Sequence, residues 1–196
     1  MKKIFSILFV MIVSYTTNLF AEGSQSIKRI FEGEENAKIT IIAYESLTCG
    51  HCADFHRNVY PELKKDFIDK GLVKIEFRHF PLDIAAFNAS KIGQCKNDGN
   101  PDILNILFSG QKKWARGKTP EEATIYLKKF LKDEGVNVEF DKCLNDKTIE
   151  DFVLNDRIEG VKKFKVNATP TIIINDKKFE KALNYKNIKK YLEKLI

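Results

Sequence analysis

Cys49 and Cys52, separated by two residues, are the side chains of this sequence best suited to chemistry. Their i, i+3 spacing places two side chains about one helical turn apart, close enough for a disulfide. The apolar run at 39–44 predicts a strand directly before them, so the first sulfur would lie at a helix N-terminus. Free N–H groups and the helix dipole favour a thiolate there, which lowers the thiol pKa and makes the disulfide easy to open. The spacing therefore predicts redox chemistry.

A zinc site would use the same cysteine spacing. His56 lies four residues after Cys52 and would supply a third ligand, but no fourth ligand is spaced nearby. The helix that favours a disulfide also directs His56 away from the cysteines. We therefore expect no metal here, and no diffusible cofactor, because thiol exchange needs neither.

The first 21 residues have the pattern of a secretory signal peptide. Lys2 and Lys3 precede an apolar stretch at 4–13, and Ala21 offers a small residue at a plausible cleavage point. That stretch is shorter than the roughly 20 residues of a membrane span. We expect residues 1–21 to be removed on export to an oxidising compartment, where all four cysteines can form disulfides.

The positive charge of the chain is modest and dispersed. The formal net charge is +6, and lysine pairs such as 64–65, 128–129 and 189–190 fall on predicted helix faces. No basic stripe alternates with aromatic side chains, as it would on a nucleic-acid-binding surface. We therefore expect no nucleic-acid partner.

The spacing of apolar residues predicts a strand on each side of the first helix. Residues 39–46 and 73–79 have strand character, and 27–31 predicts a further short strand. From Cys52 onward, apolar side chains recur every four residues on one helical stripe. Pro61 lies inside this stripe and is expected to kink the helix rather than end it.

After Pro81 the period of the apolar residues becomes helical for about eighty residues. Within this segment, Thr119 to Glu122 form a capping box with a proline at the first helical position. Strand character returns at 171–174, followed by a polar turn, a short strand around Phe179 and a final helix. The order is strand, C-x-x-C helix, strand, helical segment, hairpin and helix.

This order resembles the thioredoxin fold with an all-helical insertion, as in the DsbA family of exported thiol-disulfide oxidoreductases. Three segments carry the resemblance: 45–53 (ESLTCGHCA), 77–82 (FRHFPL) and 168–171 (ATPT). The resemblance implies an α/β protein with a mixed central sheet. It divides the chain into a signal peptide, a discontinuous thioredoxin-like domain and a helical insertion, which occupy 1–21, 22–80 with 164–196, and 81–163.

The resemblance also implies roles for individual residues. Cys49 would be the exposed nucleophile and leaving group, Cys52 its shielded partner, and His51 the residue that stabilises the Cys49 thiolate. Pro170 matches the family's cis-proline beside the disulfide, with Thr169 before it. The backbone of Thr169 would be free to pair with an extended substrate segment.

The sequence departs from the family's pattern at two positions. Many relatives place an acid six residues before the first cysteine, where this chain has Ala43. Glu45 lies two residues later on the same strand face and is either a proton acceptor for Cys52 or a surface carboxylate. The dipeptide between the cysteines is Gly50-His51 and keeps the histidine, which predicts a more oxidising potential than that of thioredoxin.

The resemblance implies a monomeric periplasmic enzyme that oxidises reduced exported polypeptides and is reoxidised by a DsbB-type, quinone-linked membrane protein. Two alternatives stay open. A disulfide isomerase or reductase would use the same cysteines, and a redox-inert binding module could have the same scaffold.

Cys95 and Cys143 both fall in the predicted helical segment. A structural disulfide between them is the favoured interpretation, and some DsbA-like subgroups carry such an extra pair. Two buried free thiols, or a second redox centre, are the alternatives.

Overall fold

The computed structural model describes residues 26–196, and the predicted signal peptide lies outside this range. In this part of the chain the strands are β1 (Ile30–Glu32), β2 (Ile39–Glu45), β3 (Val73–His79), β4 (Thr171–Ile174) and β5 (Lys177–Lys178). The helices are α1 (Gly50–Asn58), α2 (Tyr60–Leu63), α3 (Ile84–Gln94), α4 (Asp102–Ser109), α5 (Gln111–Trp114), α6 (Pro120–Asp133), α7 (Phe140–Asn145), α8 (Lys147–Phe164) and α9 (Tyr185–Leu192), with a π-helical turn at Lys64–Ile68.

The strands form one mixed sheet in the order β1-β3-β2-β4-β5. The central strand β2 runs parallel to β3 and antiparallel to β4, and the two outer strands pair antiparallel with their neighbours. Tyr44, near the end of β2, lies opposite Thr171 at the start of β4. This register brings the cysteines that follow β2 beside the Thr169–Pro170 segment that precedes β4. The predicted α/β class with a mixed central sheet is confirmed.

Two outer strands differ from the sequence prediction by a few residues. The first begins at Ile30 rather than Ile27, because its pairing with β3 starts there and the Lys28 N–H donates to the Asn97 side chain instead (2.6 Å). The last covers Lys177–Lys178, and the N–H of Phe179 still donates to the Ile172 carbonyl (2.8 Å). Both differences lie at sheet edges, where pairing depends on neighbours that are distant in sequence.

The kink predicted at Pro61 is wrong, because the structure has a full break there. The first helix ends at Asn58, Val59 leaves the helical region at φ −123°, and α2 begins at Tyr60. Pro61 lies in the first turn of α2, where its missing N–H leaves no hydrogen bond unmade. Its ring would collide with the carbonyl four residues earlier in a continuous helix, so the chain starts a new helix instead.

Side chains cap several helices of the segment between β3 and β4. The predicted capping box begins α6, where the Thr119 hydroxyl accepts a hydrogen bond from the Glu122 N–H (3.2 Å). The Glu122 carboxylate accepts from the N–H of Lys118 rather than from that of Thr119 (2.6 Å). Asp146 caps α8 in the same manner and accepts from two backbone N–H groups. These caps fix where the helices begin and therefore which of their faces pack inward.

The central strand is buried on both faces of the sheet. On one face, Ile41 and Ala43 belong to a large apolar core that continues into the helical segment. On the other face, Ile42 and Tyr44 pack in a smaller cluster against Phe164 at the end of α8. In residues 26–196 no helix combines the length and the apolar character needed to cross a membrane.

The long helix α8 approaches the sheet closely at one glycine. A Cβ atom placed on Gly160 would lie 2.8 Å from Cε1 of Tyr44, closer than real contacts allow. The absent side chain at Gly160 therefore lets the Tyr44 ring lie between β2 and α8.

Cys95 and Cys143 are joined in a disulfide with a Cα–Cα distance of 5.5 Å, the pairing that the sequence analysis favoured. Cys95 follows the last residue of α3, and Cys143 lies in α7. The bond therefore connects two helices of the segment between β3 and β4 and encloses a loop with a sequence separation of 48 residues.

Candidate active site

Cys49 is the N-cap residue of α1, directly after the turn that leaves β2. Its backbone is extended (φ −76°, ψ 120°), and its N–H donates to the Ser46 carbonyl (3.0 Å). Cys49 is half-buried, whereas Cys52, one turn along the helix, is fully buried. Both cysteines are free thiols in this structure. The strand and the helix thus present one sulfur to solvent and shield the other.

The surroundings of Cys49 stabilise its thiolate. The pKa of the Cys49 thiol is lowered from 9.0 to about 5, chiefly by a hydrogen bond from the Cys52 thiol. Burial opposes this effect, while the Thr169 side chain and the backbone N–H groups of Cys52 and His51 add to it. Those two N–H groups lie in the first turn of α1, where no carbonyl of the helix is available to them. At neutral pH Cys49 is therefore an anion and a good leaving group.

The surroundings of Cys52 act in the opposite direction. Burial raises the pKa of the Cys52 thiol strongly, and its hydrogen bond to Cys49 and the charge of Glu45 raise it further. Cys52 therefore stays protonated while Cys49 is ionised. In a thiol exchange reaction, such an asymmetry would give the two sulfurs different steps.

The Thr169–Pro170 peptide bond is cis and faces Cys49, as the resemblance implies. As a thiol, Cys49 donates through Sγ to the Thr169 carbonyl (3.3 Å). The Thr169 hydroxyl oxygen is buried and has no hydrogen-bond partner in the described part of the chain. Its contribution to the lowered pKa of Cys49 therefore requires the O–H to turn toward the ionised sulfur.

An open groove of about 510 Å³ runs past this pair of segments. Its lining residues include His51, Phe55, Thr169, Pro170 and Tyr185. The exposed His51 makes no side-chain hydrogen bond among residues 26–196. The role of its imidazole in stabilising the Cys49 thiolate stays a prediction.

Glu45 is not a surface carboxylate, which removes one of the two interpretations of this residue. It is only 5% exposed, and its Oε2 atom lies 2.9 Å from Nε2 of His56, which is also buried. Sequence reasoning treated His56 only as a poor zinc ligand and missed this pair. The available signal was that Cys52 and His56 are four residues apart on α1 and therefore share a helix face.

Gln111 is a second site residue that sequence reasoning missed. It is the first residue of α5, in the helical segment, yet its Nε2 donates to the carbonyls of Leu47 and Cys49 (2.9 Å each). Gln111 is buried, and its hydrogen bond to Leu47 is buried as well, whereas the one to Cys49 is partly buried. They fix the loop that carries Cys49, and no local pattern near Cys49 indicates them.

Metal ligation has little geometric support in the described residues. Between residues 26 and 196 no three His, Cys, Asp or Glu side chains are grouped so that they could hold an ion. The imidazole of His56, the third candidate ligand, is hydrogen-bonded to Glu45 instead.

In this mixed sheet the central strand leads into a C-x-x-C helix, and the first cysteine faces a cis-proline. These features define the chain as a thioredoxin-fold protein with a dithiol site. A protein-family model described as "Thioredoxin" matches residues 25–194. The crystal structure of alpha-DsbA1 from Wolbachia pipientis is similar at 30% sequence identity, with a TM-score of 0.75, over 85% of this chain and 90% of that one. The chain belongs to the DsbA-like branch of the thioredoxin family.

The names of two relatives refer to disulfide chemistry. Disulfide bond formation protein D of Bacillus subtilis is 29% identical over 173 residues, which are 83% of this chain and 74% of that protein. A protein of Rickettsia bellii named as a protein-disulfide oxidoreductase is 30% identical over 146 residues, which are 73% of this chain. That match spans 55% of the length of the Rickettsia protein, so the chain corresponds to about half of it.

Proposed function

We propose that this chain is a periplasmic thiol:disulfide oxidoreductase that introduces disulfides into exported proteins. The observation that carries this proposal is that two sulfurs one helical turn apart differ in exposure and have pKa values shifted in opposite directions. Cys49 is accessible and has a pKa of about 5, whereas Cys52 is buried with a raised pKa. The names of the relatives from Bacillus subtilis and Rickettsia bellii support the same reaction class.

The reaction would begin from the Cys49–Cys52 disulfide. A substrate thiolate attacks the Cys49 sulfur, the bond between the two cysteines breaks, and Cys52 leaves with the electron pair and takes up a proton. A second substrate thiolate then attacks the substrate sulfur of the mixed disulfide, and Cys49 leaves as a thiolate. The substrate is oxidised by two electrons and the enzyme is reduced to its dithiol.

The stability of the Cys49 thiolate favours this direction over the reverse. At pH 7, two units above the midpoint of Cys49 ionisation, the thiolate stabilises the reduced enzyme by about 2.7 kcal/mol, which solvent screening at this half-buried site lowers to about 2.3 kcal/mol. For a two-electron couple this corresponds to a potential about 50 mV more oxidising than that of a comparable dithiol with ordinary thiols. The oxidised enzyme has no such anion, so passing its disulfide to a substrate is favourable.

The groove beside Cys49 would bind an unfolded or extended segment of the substrate. Apolar walls at Phe55 and Pro170 and polar groups at Asn58 and Asn184 line it. Thr169 also lines the groove, and its backbone would pair with the substrate backbone, a mode of recognition that accepts polypeptides of different sequence. A monomer would suffice for this reaction, and a DsbB-type, quinone-linked membrane protein is proposed as the reoxidant.

Oxidation of a dithiol peptide tests the proposal. The chain without its signal peptide, mixed with glutathione disulfide and a two-cysteine peptide, should oxidise the peptide faster than glutathione disulfide alone. Cys49→Ala should abolish the acceleration. A wild-type rate equal to that of the uncatalysed mixture, or full activity in Cys49→Ala, would refute it.

Disulfide isomerisation remains the second candidate, because a protonated Cys52 and a groove for extended chains serve it equally well. Refolding of scrambled ribonuclease separates the two functions. An oxidase should accelerate the peptide reaction strongly and the scrambled ribonuclease reaction weakly, and the reverse order would favour an isomerase.

A further inference from the structure

One buried side chain of the helical segment reaches the loop between β2 and α1. Nε2 of Gln111, the first residue of α5, donates one hydrogen bond to the Leu47 carbonyl and one to the Cys49 carbonyl, at 2.9 Å each. A side-chain amide has two N–H groups, so both of its donors are used. The two acceptors are two residues apart in the loop, and a single side chain therefore holds two of its peptide groups.

The position of Gln111 is itself fixed by close packing. A Cβ atom on Gly110, the residue before it, would lie 2.0 Å from Cζ of Phe130, so this ring from α6 packs directly on the backbone. Trp114, the last residue of α5, is fully buried, and its indole N–H donates to the Leu107 carbonyl of α4 (2.8 Å). Contacts with α4 and α6 thus hold the short helix, and the amide is presented from a rigid support.

The hydrogen bond to the Cys49 carbonyl acts where α1 begins. This carbonyl also accepts a hydrogen bond from the Ala53 N–H (3.2 Å), and Gln111 uses its second lone pair. The peptide group that follows Cys49 therefore has two anchors. Because that group leads into the first turn of α1, its orientation sets the direction of the N–H groups of His51 and Cys52, which contribute to the low pKa of Cys49.

The same anchor sets the position of the sulfur against the segment before β4. Cys49 Sγ lies 3.3 Å from the Thr169 carbonyl, and the two residues are 120 positions apart in sequence. Neither hydrogen bond of Gln111 involves the sulfur, and an amide carries no charge. We therefore expect Gln111 to act on the sulfur through the backbone that carries it.

We propose that Gln111 is a positioning residue for thiol exchange, which holds the backbone of Cys49 so that its sulfur faces the first N–H groups of α1 and the Thr169 carbonyl. This inference rests on the proposed function and adds a residue to it. The segment between β3 and β4 thereby contributes to the reactivity of a cysteine that lies outside it.

The release of Cys49 is the step that depends most on this geometry. In that step a second substrate thiolate attacks the substrate sulfur, the bond to Cys49 breaks, and Cys49 keeps the electron pair. The groups that stabilise the new anion must already be oriented, since reorganisation during the reaction would raise the barrier. Without the amide, the Leu47 carbonyl would lose a buried hydrogen bond, and the loop would have to move or admit water.

A role limited to stability predicts a different outcome. Replacement of such a residue would lower the free energy of unfolding but leave the Cys49 thiolate unchanged. Gln94 provides the matched control, because it is also a buried glutamine whose Nε2 donates to a backbone carbonyl, that of Lys28 (2.7 Å). Its side-chain oxygen is hydrogen-bonded to His79 (3.3 Å), and in residues 26–196 its side chain makes no hydrogen bond to the loop that carries Cys49.

Replacement of each glutamine by methionine separates the two roles. Methionine has nearly the length of glutamine but no N–H donor, and neither replacement removes a charge. The pKa of Cys49 is measured by alkylation of the reduced protein, and the equilibrium with glutathione is measured at pH 7. In Gln111→Met the pKa of Cys49 should rise by about one unit, which shifts the equilibrium about tenfold toward the disulfide form. Gln94→Met should keep both wild-type values.

Gln111→Asn is a milder variant that covers the case in which Gln111→Met does not fold. It keeps an amide but shortens the side chain by one carbon, so the nitrogen cannot reach both carbonyls from the same backbone position. The pKa of Cys49 and the equilibrium with glutathione should shift in the same direction as in Gln111→Met. Circular dichroism confirms the fold of each variant before either measurement.

The wild-type protein supplies a readout that needs no variant. In ¹⁵N-labelled protein, both Nε2 protons of Gln111 should exchange with water more slowly than the side-chain amide protons of the exposed Asn155. Equally fast exchange at the two amides would overturn the proposal, because the two hydrogen bonds would then not persist in solution.

Two results with the variants would also overturn the proposal. One is a wild-type Cys49 pKa together with a wild-type glutathione equilibrium in a folded Gln111 variant, and the other is an equal shift of both values in Gln94→Met. Failure of the proposed function is seen separately, because alkylation measures the thiol without any substrate. Absence of peptide oxidation by the wild type would remove the proposed function, while a raised pKa in Gln111→Met would still show that Gln111 controls the sulfur.

Discussion

The ionisation of Cys49 predicts a specific dependence of the stability of the reduced protein on pH. The folded state lowers the pKa of this thiol from 9.0 to about 5, so the anion favours folding. An acid whose pKa is depressed by folding contributes its full stability above pH 9 and loses it progressively as the pH falls to 5. Between these limits the contribution changes by up to about 1.4 kcal/mol per pH unit.

The expected magnitude between pH 5 and pH 7 follows from the same values. Ionisation of Cys49 adds about 0.4 kcal/mol to the free energy of unfolding at pH 5, the midpoint in the folded state, and about 2.7 kcal/mol at pH 7. Cys49 is only half-buried, and solvent screening lowers the difference to about 2 kcal/mol. We therefore expect the free energy of unfolding of the reduced wild type, relative to that of Cys49→Ala, to rise by this amount between pH 5 and pH 7.

Urea unfolding at pH 5, 6 and 7 measures this difference. Both proteins are kept in the same reductant, so the reduction of the Cys95–Cys143 disulfide affects both equally. Subtracting the Cys49→Ala values removes the titration of all other groups that the two proteins share. The oxidised wild type is a further control, because it has no thiolate and should not show the rise. A difference that stays constant from pH 5 to pH 7 would refute an ionised Cys49, and with it the argument for an easily displaced leaving group.

Two further substitutions test the packing that supports the site. Replacing Cys95 and Cys143 by alanine should lower the free energy of unfolding by up to about 4 kcal/mol, because the disulfide removes the chain entropy of a loop of 48 residues from the unfolded state. Urea unfolding without reductant measures this loss. A loss below about 0.5 kcal/mol would contradict a stabilising disulfide. Gly160→Ala should cost about 1–3 kcal/mol, because its Cβ would lie 2.8 Å from the Tyr44 ring. Gly50→Ala is the control, since no atom lies within 4 Å of its added Cβ. Equal melting temperatures for the two glycine variants would contradict the close approach between α8 and Tyr44.

The parts of the fold and site that depend on local sequence could be predicted. A strand followed by Cys49 and Cys52 in a helix requires only the apolar run before them and a spacing of three residues. The capping box at Thr119 likewise involves neighbours along the chain. The cis bond at Pro170 could not come from such patterns, because proline adopts the cis form in only a few per cent of X-Pro bonds; it was anticipated from family resemblance.

The interactions that could not be predicted all connect separate elements. Glu45 and His56 belong to different elements, and only the packing of α1 on the sheet brings them together. The prediction that the helix directs His56 away from both cysteines is wrong for Cys52, because both residues are buried and residues four apart share a helix face. Pro61 shows another limit, because a proline in a helical stripe is compatible with either a kink or a new helix, and the stripe itself does not distinguish the two.

The hydrogen bonds from Gln111 have a consequence for protein engineering. Two carbonyls of the loop at Leu47 and Cys49 depend on an amide that lies more than sixty residues further along the chain. A graft of residues 45–53 onto a foreign scaffold would carry the cysteines but lose this donor. The transplanted loop would then have to recruit water or change its shape, so the short cassette alone does not transfer the geometry of the site.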